Sequence, residues 1–198
     1  MKTAIITVFT ALSLTAGIAN STKAATLKGD ANTYTVLTDI SAINKIEIHG
    51  NVELYVSDGA SDQVKVYNKY YSESALVQST NGVLRISSYK PEKLVVWVSA
   101  NDLRAISAYD NAEVKSFGNI SKIEFAVDLH DNAAAKLDLN AFAASLTVKD
   151  NAKADLTGSA DQLNLYRDIE SNVKSNNFSA AHYLENKITV AGNDLAGL

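Results

Sequence analysis

The chain of 198 residues has no cysteine, a single proline, and one apolar run that approaches the length of a membrane span. Without cysteine there are no disulfides and no lipid attached through an N-terminal cysteine, so the core alone must stabilise the fold. The proline, Pro91, is expected in a loop before an apolar strand, where its missing N–H does no harm. No second apolar segment of about 18 residues follows, so we expect nothing to span a membrane after removal of the N-terminus.

Motifs that mark common enzymes are also missing. The sequence has no Gly-x-Ser-x-Gly, no phosphate-binding loop and no dinucleotide-binding glycine pattern. Its three histidines, His49, His130 and His182, have no spacing that would place a pair of metal ligands on one face. The sequence therefore predicts no catalytic residue, no cofactor and no metal site.

The N-terminal segment MKTAIITVFTALSLTAGIA begins with Lys2 and continues as a short apolar run that ends in small residues. This order is typical of a secretory signal peptide. We expect cleavage after Ala19 or Ala24, and we assign residues 1–24 to the signal peptide, 25–38 to an N-terminal segment and 39–198 to one β-rich domain. Removal of Lys2, with or without Lys23, changes the formal charge from −4 to −5 or −6. Such a balance argues against nucleic acid or an anionic membrane surface as a partner.

A short phrase recurs as YDNAEVKSF from Tyr109, HDNAAAKLDL from His130 and KDNAKADLTG from Lys149. Small or apolar residues alternate with polar ones on both sides of each Asp-Asn pair. Alternation with period two around a two-residue interruption predicts two half-buried strands that meet at a corner. The predicted structural corner residues are Asn51, Asp110, Asn111, Asp131, Asn132, Asp150, Asn151 and Asn193.

The spacing of these corners predicts the fold. Asn or Gly at the second corner position is expected to adopt the positive φ that a sharp bend needs. Weaker corners are placed at Arg167-Asp168 and Gly192-Asn193, which gives intervals of 21, 19, 17 and 25 residues from Asp110. Intervals of this size predict an all-β fold of stacked coils, a parallel β-solenoid. The alternative is that each Asp-Asn-Ala phrase is a hairpin turn between antiparallel strands.

The first half of the domain predicts a hairpin-containing part that caps the stack. Asn81-Gly82 between two alternating segments is a strong signal for a two-residue hairpin turn. Trp97 and Phe125 are assigned to the core. His49 and His130 each precede a corner and should point outward, where they could stack near Tyr109 and Lys149.

The aspartates of the corners allow three roles. Each Asp could cap its own corner by accepting a hydrogen bond from a backbone N–H, which is the role we favour. Stacked carboxylates about 4.8 Å apart could instead collect calcium, giving a calcium-stabilised adhesin. A glycan-active lyase or hydrolase could use Asp131, Asp150 and a neighbouring base, although nothing in the pattern marks two carboxylates across a cleft.

Three segments carry a family resemblance: INKIEIHGNVELYVSDGASDQVKVY, VLRISSYKPEKLVVWVSANDLRAISAYDNAEV and SKIEFAVDLHDNAAAKLDL. Over roughly residues 39–198 the chain resembles the putative auto-transporter adhesin, head GIN domain family. The resemblance implies a right-handed β-helix, exported to the periplasm, cell surface or medium of a Gram-negative bacterium. The family name also implies adhesion. Together with the missing catalytic motifs, this predicts a non-catalytic module that binds a surface ligand, which could be a glycan or a protein. Family members usually have glycine where this chain has Asp110, Asp131 and Asp150.

Overall fold

The computed structural model describes residues 24–27, 34–37, 40, 42–67 and 75–188, and these form an all-β fold, as predicted. Among these residues there is no helix that is long and apolar enough to cross a membrane. Residues 1–23, with nearly all of the predicted signal peptide, and the predicted corner residue Asn193 lie outside the described residues. In chain order the described strands are β1 (Ala24–Leu27), β2 (Tyr34–Leu37), β3 (Lys45–Gly50), β4 (Val52–Asp58), β5 (Gln63–Tyr67), β6 (Ala75–Thr80), β7 (Val83–Ser88), β8 (Leu94–Ala100), β9 (Ala105–Ala108), β10 (Glu113–Ser116), β11 (Ile120–Leu129), β12 (Ala134–Val148), β13 (Lys153–Asp168) and β14 (Asn172–Ile188).

The described strands form one curled sheet that consists of two rows. The first row has the order β1-β2-β5-β8-β4-β10, and the second has the order β6-β7-β3-β9-β11. The long strand β12 joins the rows, because residues 134–136 pair with β10 and residues 139–148 pair with β11. Strands β13 and β14 continue the sheet beyond β12.

The repeated phrases stack in parallel and in register. Leu129 pairs with Ala108 of the preceding repeat and with Val148 of the following one. The strands on either side of an Asp-Asn pair bind different partners: β9 pairs with β3 and β11, whereas β10 pairs with β4 and β12. The alternative of an antiparallel hairpin at each phrase is therefore wrong.

The first coil does not stack in chain order. Strands β3 and β4 lie between β7 and β8 on one side and β9 and β10 on the other. Beyond β8 and β7 the pairing becomes antiparallel, with β5, β2 and β1 on one row and β6 on the other. The predicted hairpin is present, and its turn residues Asn81 and Gly82 have φ of 52° and 79°. Antiparallel strands therefore cover this end of the stack.

A large apolar core fills the inside of the curled sheet, because the alternation along each strand turns the same face inward, and a second, smaller buried cluster consists of Ala141, Ala144, Ala160 and Leu163. Ile46, Leu54 and Leu129 are fully buried, and Phe125 is 3% exposed, as predicted. The assignment of Trp97 to the core is wrong. Val96 and Val98 point into the core, and strand geometry then turns Trp97 to the outer surface.

The left-handed residue of each corner is the aspartate. Asp110, Asp131 and Asp150 have φ of 59°, 57° and 55°, which corrects the expectation that the asparagine would take this conformation. The backbone N–H of Ala133 donates to the carbonyl of His130, so Asp131 occupies the first central position of a tight turn. Such a turn needs positive φ at that position, and Asp tolerates it better than a β-branched residue.

The fourth corner lies two residues later than predicted, because Val148 pairs with Arg167 and Lys153 pairs with Asn172, which aligns residues 169–170 with Asp150-Asn151. Asp168, one residue before this corner, supplies the carboxylate that accepts the N–H of Asp150. Ile169 therefore lies at the corner and is 75% exposed. Pairing between β13 and β14 also shifts register between Asp155 and Thr157, which the repeat did not reveal.

Candidate functional site

The corner carboxylates link one coil to the next. The backbone N–H of Gly50 donates to Asp110 at 2.9 Å, and that of Asp110 donates to Asp131 at 3.0 Å. The N–H of Asp131 donates to Asp150 at 3.0 Å, and that of Asp150 donates to Asp168 at 2.5 Å. Asp110, Asp131 and Asp150 therefore accept from the neighbouring coil and not, as expected, from their own corners, whereas Asp168 also accepts from the N–H of Ser171 in its own corner at 3.0 Å. We call this series of hydrogen bonds the corner ladder. Its carboxylates stabilise the stacking of the repeats.

The predicted corner asparagines have two different environments. The side chain of Asn51 donates to the carbonyls of Lys90 and Pro91 at 3.2 and 2.8 Å. Asn111, Asn132 and Asn151 are exposed, and their side chains form no hydrogen bond within the described part of the chain. Their contribution to the corner comes from the backbone.

Outward residues that precede the corners form an aromatic stack. Tyr109 lies between His49 and His130, with ring centroids 4.4 and 4.8 Å apart and nearly parallel planes. The backbone of Lys149 continues this row beside His130, and His182 lies elsewhere, 3.7 Å from Asp161. The sequence thus located this row. No group of three or more side chains suited to a metal ion occurs among the residues that the structure describes.

A larger aromatic cluster lies on the outer surface of the first row, and we call it the aromatic face. The rings of Tyr55 and Trp97 are 4.8 Å apart and nearly parallel, and Phe117 contacts Trp97 at 4.9 Å with tilted planes. The cluster continues toward β2: the ring centroids of Trp97 and Tyr67 are 6.4 Å apart, and those of Tyr67 and Tyr34 are 5.2 Å apart. Its members are Tyr34, Tyr55, Tyr67, Trp97 and Phe117.

The sheet register explains why these rings meet. Tyr55 of β4 pairs directly with Trp97 of β8, and both point outward. Two positions along, Ser57 pairs with Ser99, and these small side chains leave space above the sheet. Phe117, which follows β10, packs over this space against Trp97 and remains 61% exposed. The apolar ring of Phe117 is therefore exposed to solvent while it packs against Trp97 and the sheet.

Ion pairs hold one side of the aromatic face. The Tyr55 hydroxyl donates to Glu53 at 2.9 Å, and the Lys115 ammonium donates to Glu53 and lies 3.2 Å from Glu113. The hydrogen bond from Lys115 lowers the pKa of Glu53, and the hydrogen bond to Glu53 raises the pKa of Tyr55. A hydrogen bond from Lys93 lowers the pKa of Glu113. These contacts fix the orientation of the Tyr55 ring.

Beside the aromatic face lies an open hollow of about 370 Å³, which we call the lysine hollow. In the sheet register, Glu113, Ala134 and Lys153 occupy one row, and the small Ala134 leaves the depression between its larger neighbours. Four successive strands, β10, β12, β13 and β14, each contribute one lysine to the lining. The charged residues of the lining are Lys115, Lys136, Lys153, Lys174, Glu113 and Asp155.

The charges of the hollow are only partly neutralised. Lys115 is paired with Glu53 and Glu113, whereas Lys136, Lys153 and Lys174 form no ion pair within the described ranges. Sequence reasoning found neither the hollow nor the aromatic face. The position of Trp97 between two inward-facing valines was a signal that its side chain points outward. The residues that lie beside it on adjacent strands are set by long-range pairing, which the sequence does not reveal.

Solved structures share the fold at low sequence identity. A protein described as a putative adhesin, from Bacteroides fragilis, aligns with a TM-score of 0.68 and 14% identity over 80% of this chain and 77% of that one. A putative lipid binding protein from Parabacteroides distasonis gives 0.60 and 10% over 80% and 79%. A putative adhesin from Parabacteroides merdae gives 0.59 and 12% over 80% and 78%. Among curated proteins, none matches.

A family model matches residues 42–193, which is most of the chain and includes the corner ladder, the lysine hollow and every member of the aromatic face except Tyr34. Its description agrees with the resemblance that the sequence motifs indicated. The chain therefore belongs to the putative auto-transporter adhesin, head GIN domain family.

Proposed function

We propose that this protein is an exported, non-catalytic module, built as a right-handed parallel β-solenoid, that binds a surface ligand through the aromatic face. The family description and the apolar N-terminal segment support export to the cell envelope. Parallel stacking of the repeats supports the solenoid. The compartment is the periplasm, the cell surface or the medium.

The observation that carries the proposal is the aromatic face itself. Outward positions on a sheet that faces water are ordinarily polar, whereas here five rings contact one another on adjacent strands. Tyr and Trp are enriched where proteins bind partners, because they give large contact area at a small cost in side-chain entropy. Phe117, at 61% exposure, leaves an apolar surface that a ligand can cover.

The state of the corner carboxylates supports a role without catalysis. Glycoside hydrolysis requires two carboxyl groups on opposite sides of the scissile bond. Asp131 and Asp150, the pair that an enzyme of this shape would use, instead lie along one edge and accept backbone hydrogen bonds at 3.0 Å. Moving either side chain toward a substrate would break a contact between coils.

Binding of the purified chain to an array of immobilised glycans tests the proposal. We compare wild type with Phe117→Ala and Trp97→Ala, and we use Ile123→Ala as the matched control. Ile123 is 78% exposed and lies outside the aromatic face. We expect both aromatic variants to lose most of the signal and the control to keep it. Retention of the full signal by both aromatic variants would reject the aromatic face as the binding surface.

A further inference from the structure

We infer that the ligand is an acidic polysaccharide, whose sugar rings pack against the aromatic face while its anionic groups bind in the lysine hollow. This inference rests on the proposed function, because it names the ligand class for the same surface. The two features are continuous. Trp97, Tyr55, Lys115 and Lys136 occupy consecutive positions of one outward row across β8, β4, β10 and β12.

The geometry of this row fits a linear polymer. Neighbouring strands are about 4.8 Å apart, so the row presents a new side chain at intervals close to the length of one sugar residue. A chain that crosses the strands would first meet the rings of Trp97, Tyr55 and Phe117. It would then pass over Lys136 and into the hollow between Glu113 and Lys153.

Charge complementarity selects an anionic ligand. Lys136, Lys153 and Lys174 have no ion-pair partner among the described residues, and Asp155 is the one carboxylate of the lining besides the paired Glu113. The whole chain carries a formal charge of −4, so this positive area contrasts with the rest of the molecule. Carboxylate or sulfate groups on a sugar would form ion pairs with these lysines.

The same lining favours a sugar over a nucleic acid. Glu113 and Asp155 can accept hydrogen bonds from the hydroxyl groups that an acidic polysaccharide presents at every sugar, whereas the backbone of single-stranded DNA has no such donor.

Titration calorimetry with three probes of similar length tests the inference: polygalacturonate, neutral dextran and single-stranded DNA, with a chelator present. The key variant replaces Lys136, Lys153 and Lys174 with Gln. A control variant with the same change in charge replaces Lys90, Lys149 and Lys187, which lie outside the hollow. We expect wild type to prefer polygalacturonate over dextran by about tenfold or more, because the carboxylates of the polymer would pair with Lys136, Lys153 and Lys174.

We expect the hollow variant to lose that preference, the control variant to keep it, and added salt to weaken it. Equal affinity for dextran and polygalacturonate, with both lost in Phe117→Ala, would overturn the inference and leave the proposed function intact. Tighter binding of DNA than of polygalacturonate would overturn the inference as well. Absence of binding to every probe and to the glycan array would overturn both.

Discussion

At the scale of single residues, the aspartates of the corners combine two roles that few side chains can fill together. Asp131 adopts φ of 57° and its carboxylate accepts the N–H of Asp110, one coil away, at 3.0 Å. Asp and Asn visit the left-handed region more easily than other residues with a Cβ. Glycine would also permit the bend, but it would remove the bond between coils. Aspartate therefore serves turn geometry and stacking at one position.

Exchange of the two corner positions for valine separates these roles. We expect Asp131→Val to lower the free energy of unfolding by about 2–4 kcal/mol, because it adds backbone strain and removes a hydrogen bond. Asn132→Val should cost less than about 1 kcal/mol, since the side chain of Asn132 is exposed. Denaturant unfolding of both variants measures this. A larger loss for Asn132→Val than for Asp131→Val would contradict the assignment of the left-handed residue.

The ion pair between Glu53 and Lys115 makes part of the stability depend on pH. Because Lys115 lowers the pKa of Glu53 in the folded state, this contribution is present above pH 4.5, the ordinary value, and is lost as the pH falls further. We expect Tm to fall less between pH 7 and pH 3 in Glu53→Gln than in wild type. Glu92→Gln, at an exposed position outside the network, is the control. Equal acid sensitivity of Glu53→Gln and wild type would show that the pair does not stabilise the fold.

At the scale of elements, the sequence predicted the positions of the strands better than it predicted their order in the sheet. Alternation around Asp131 and Asp150 located the strand pairs, and Asn81-Gly82 located the hairpin, because both signals are local. The insertion of β3 and β4 between later strands was not predictable. Long-range pairing decides the order of the strands. The alternation of polar and apolar residues would be the same in any order of stacking, so it does not reveal which order is adopted.

Two glycines, Gly118 between β10 and β11 and Gly158 within β13, offer a test at this scale. Gly158 and Gly118 have φ of 104° and 81°, so either substitution by alanine adds strain. A Cβ at Gly158 would also collide with the backbone carbonyl of Leu139, whereas a Cβ at Gly118 would meet no atom within 4 Å. We expect Gly158→Ala to destabilise the protein by at least about 2 kcal/mol more than Gly118→Ala in denaturant unfolding. Equal losses would show that the coils are not in such close contact at Gly158.

At the scale of the whole molecule, the sequence indicated the family and the all-β class but not the candidate site. Period-two alternation could have turned Trp97 outward, since Val96 and Val98 flank it. The meeting of Trp97 with Phe117 depends on β4 and its small Ser57 lying between their strands, and no local pattern carries that information. A surface built across strands is therefore harder to predict than a core built along them.

We also predict that the whole molecule is exported and that its N-terminal segment is removed. The Lys2 start and the apolar run after it should direct the chain out of the cytoplasm, with loss of 19 or 24 residues. Expression of the full chain in a Gram-negative host, followed by intact-mass measurement of the envelope and secreted fractions, checks this. Recovery of the chain with residues 1–19 still attached would contradict export with cleavage.

The most direct test of the central claim uses the fluorescence of Trp97, which is the single tryptophan of the chain and lies in the aromatic face. Titration with polygalacturonate should produce a saturable change in its emission. The midpoint should match calorimetry, and the change should be absent in Phe117→Ala and much reduced when Lys136, Lys153 and Lys174 are replaced with Gln. Binding of the polysaccharide with no change in Trp97 emission would place the ligand elsewhere and contradict the account.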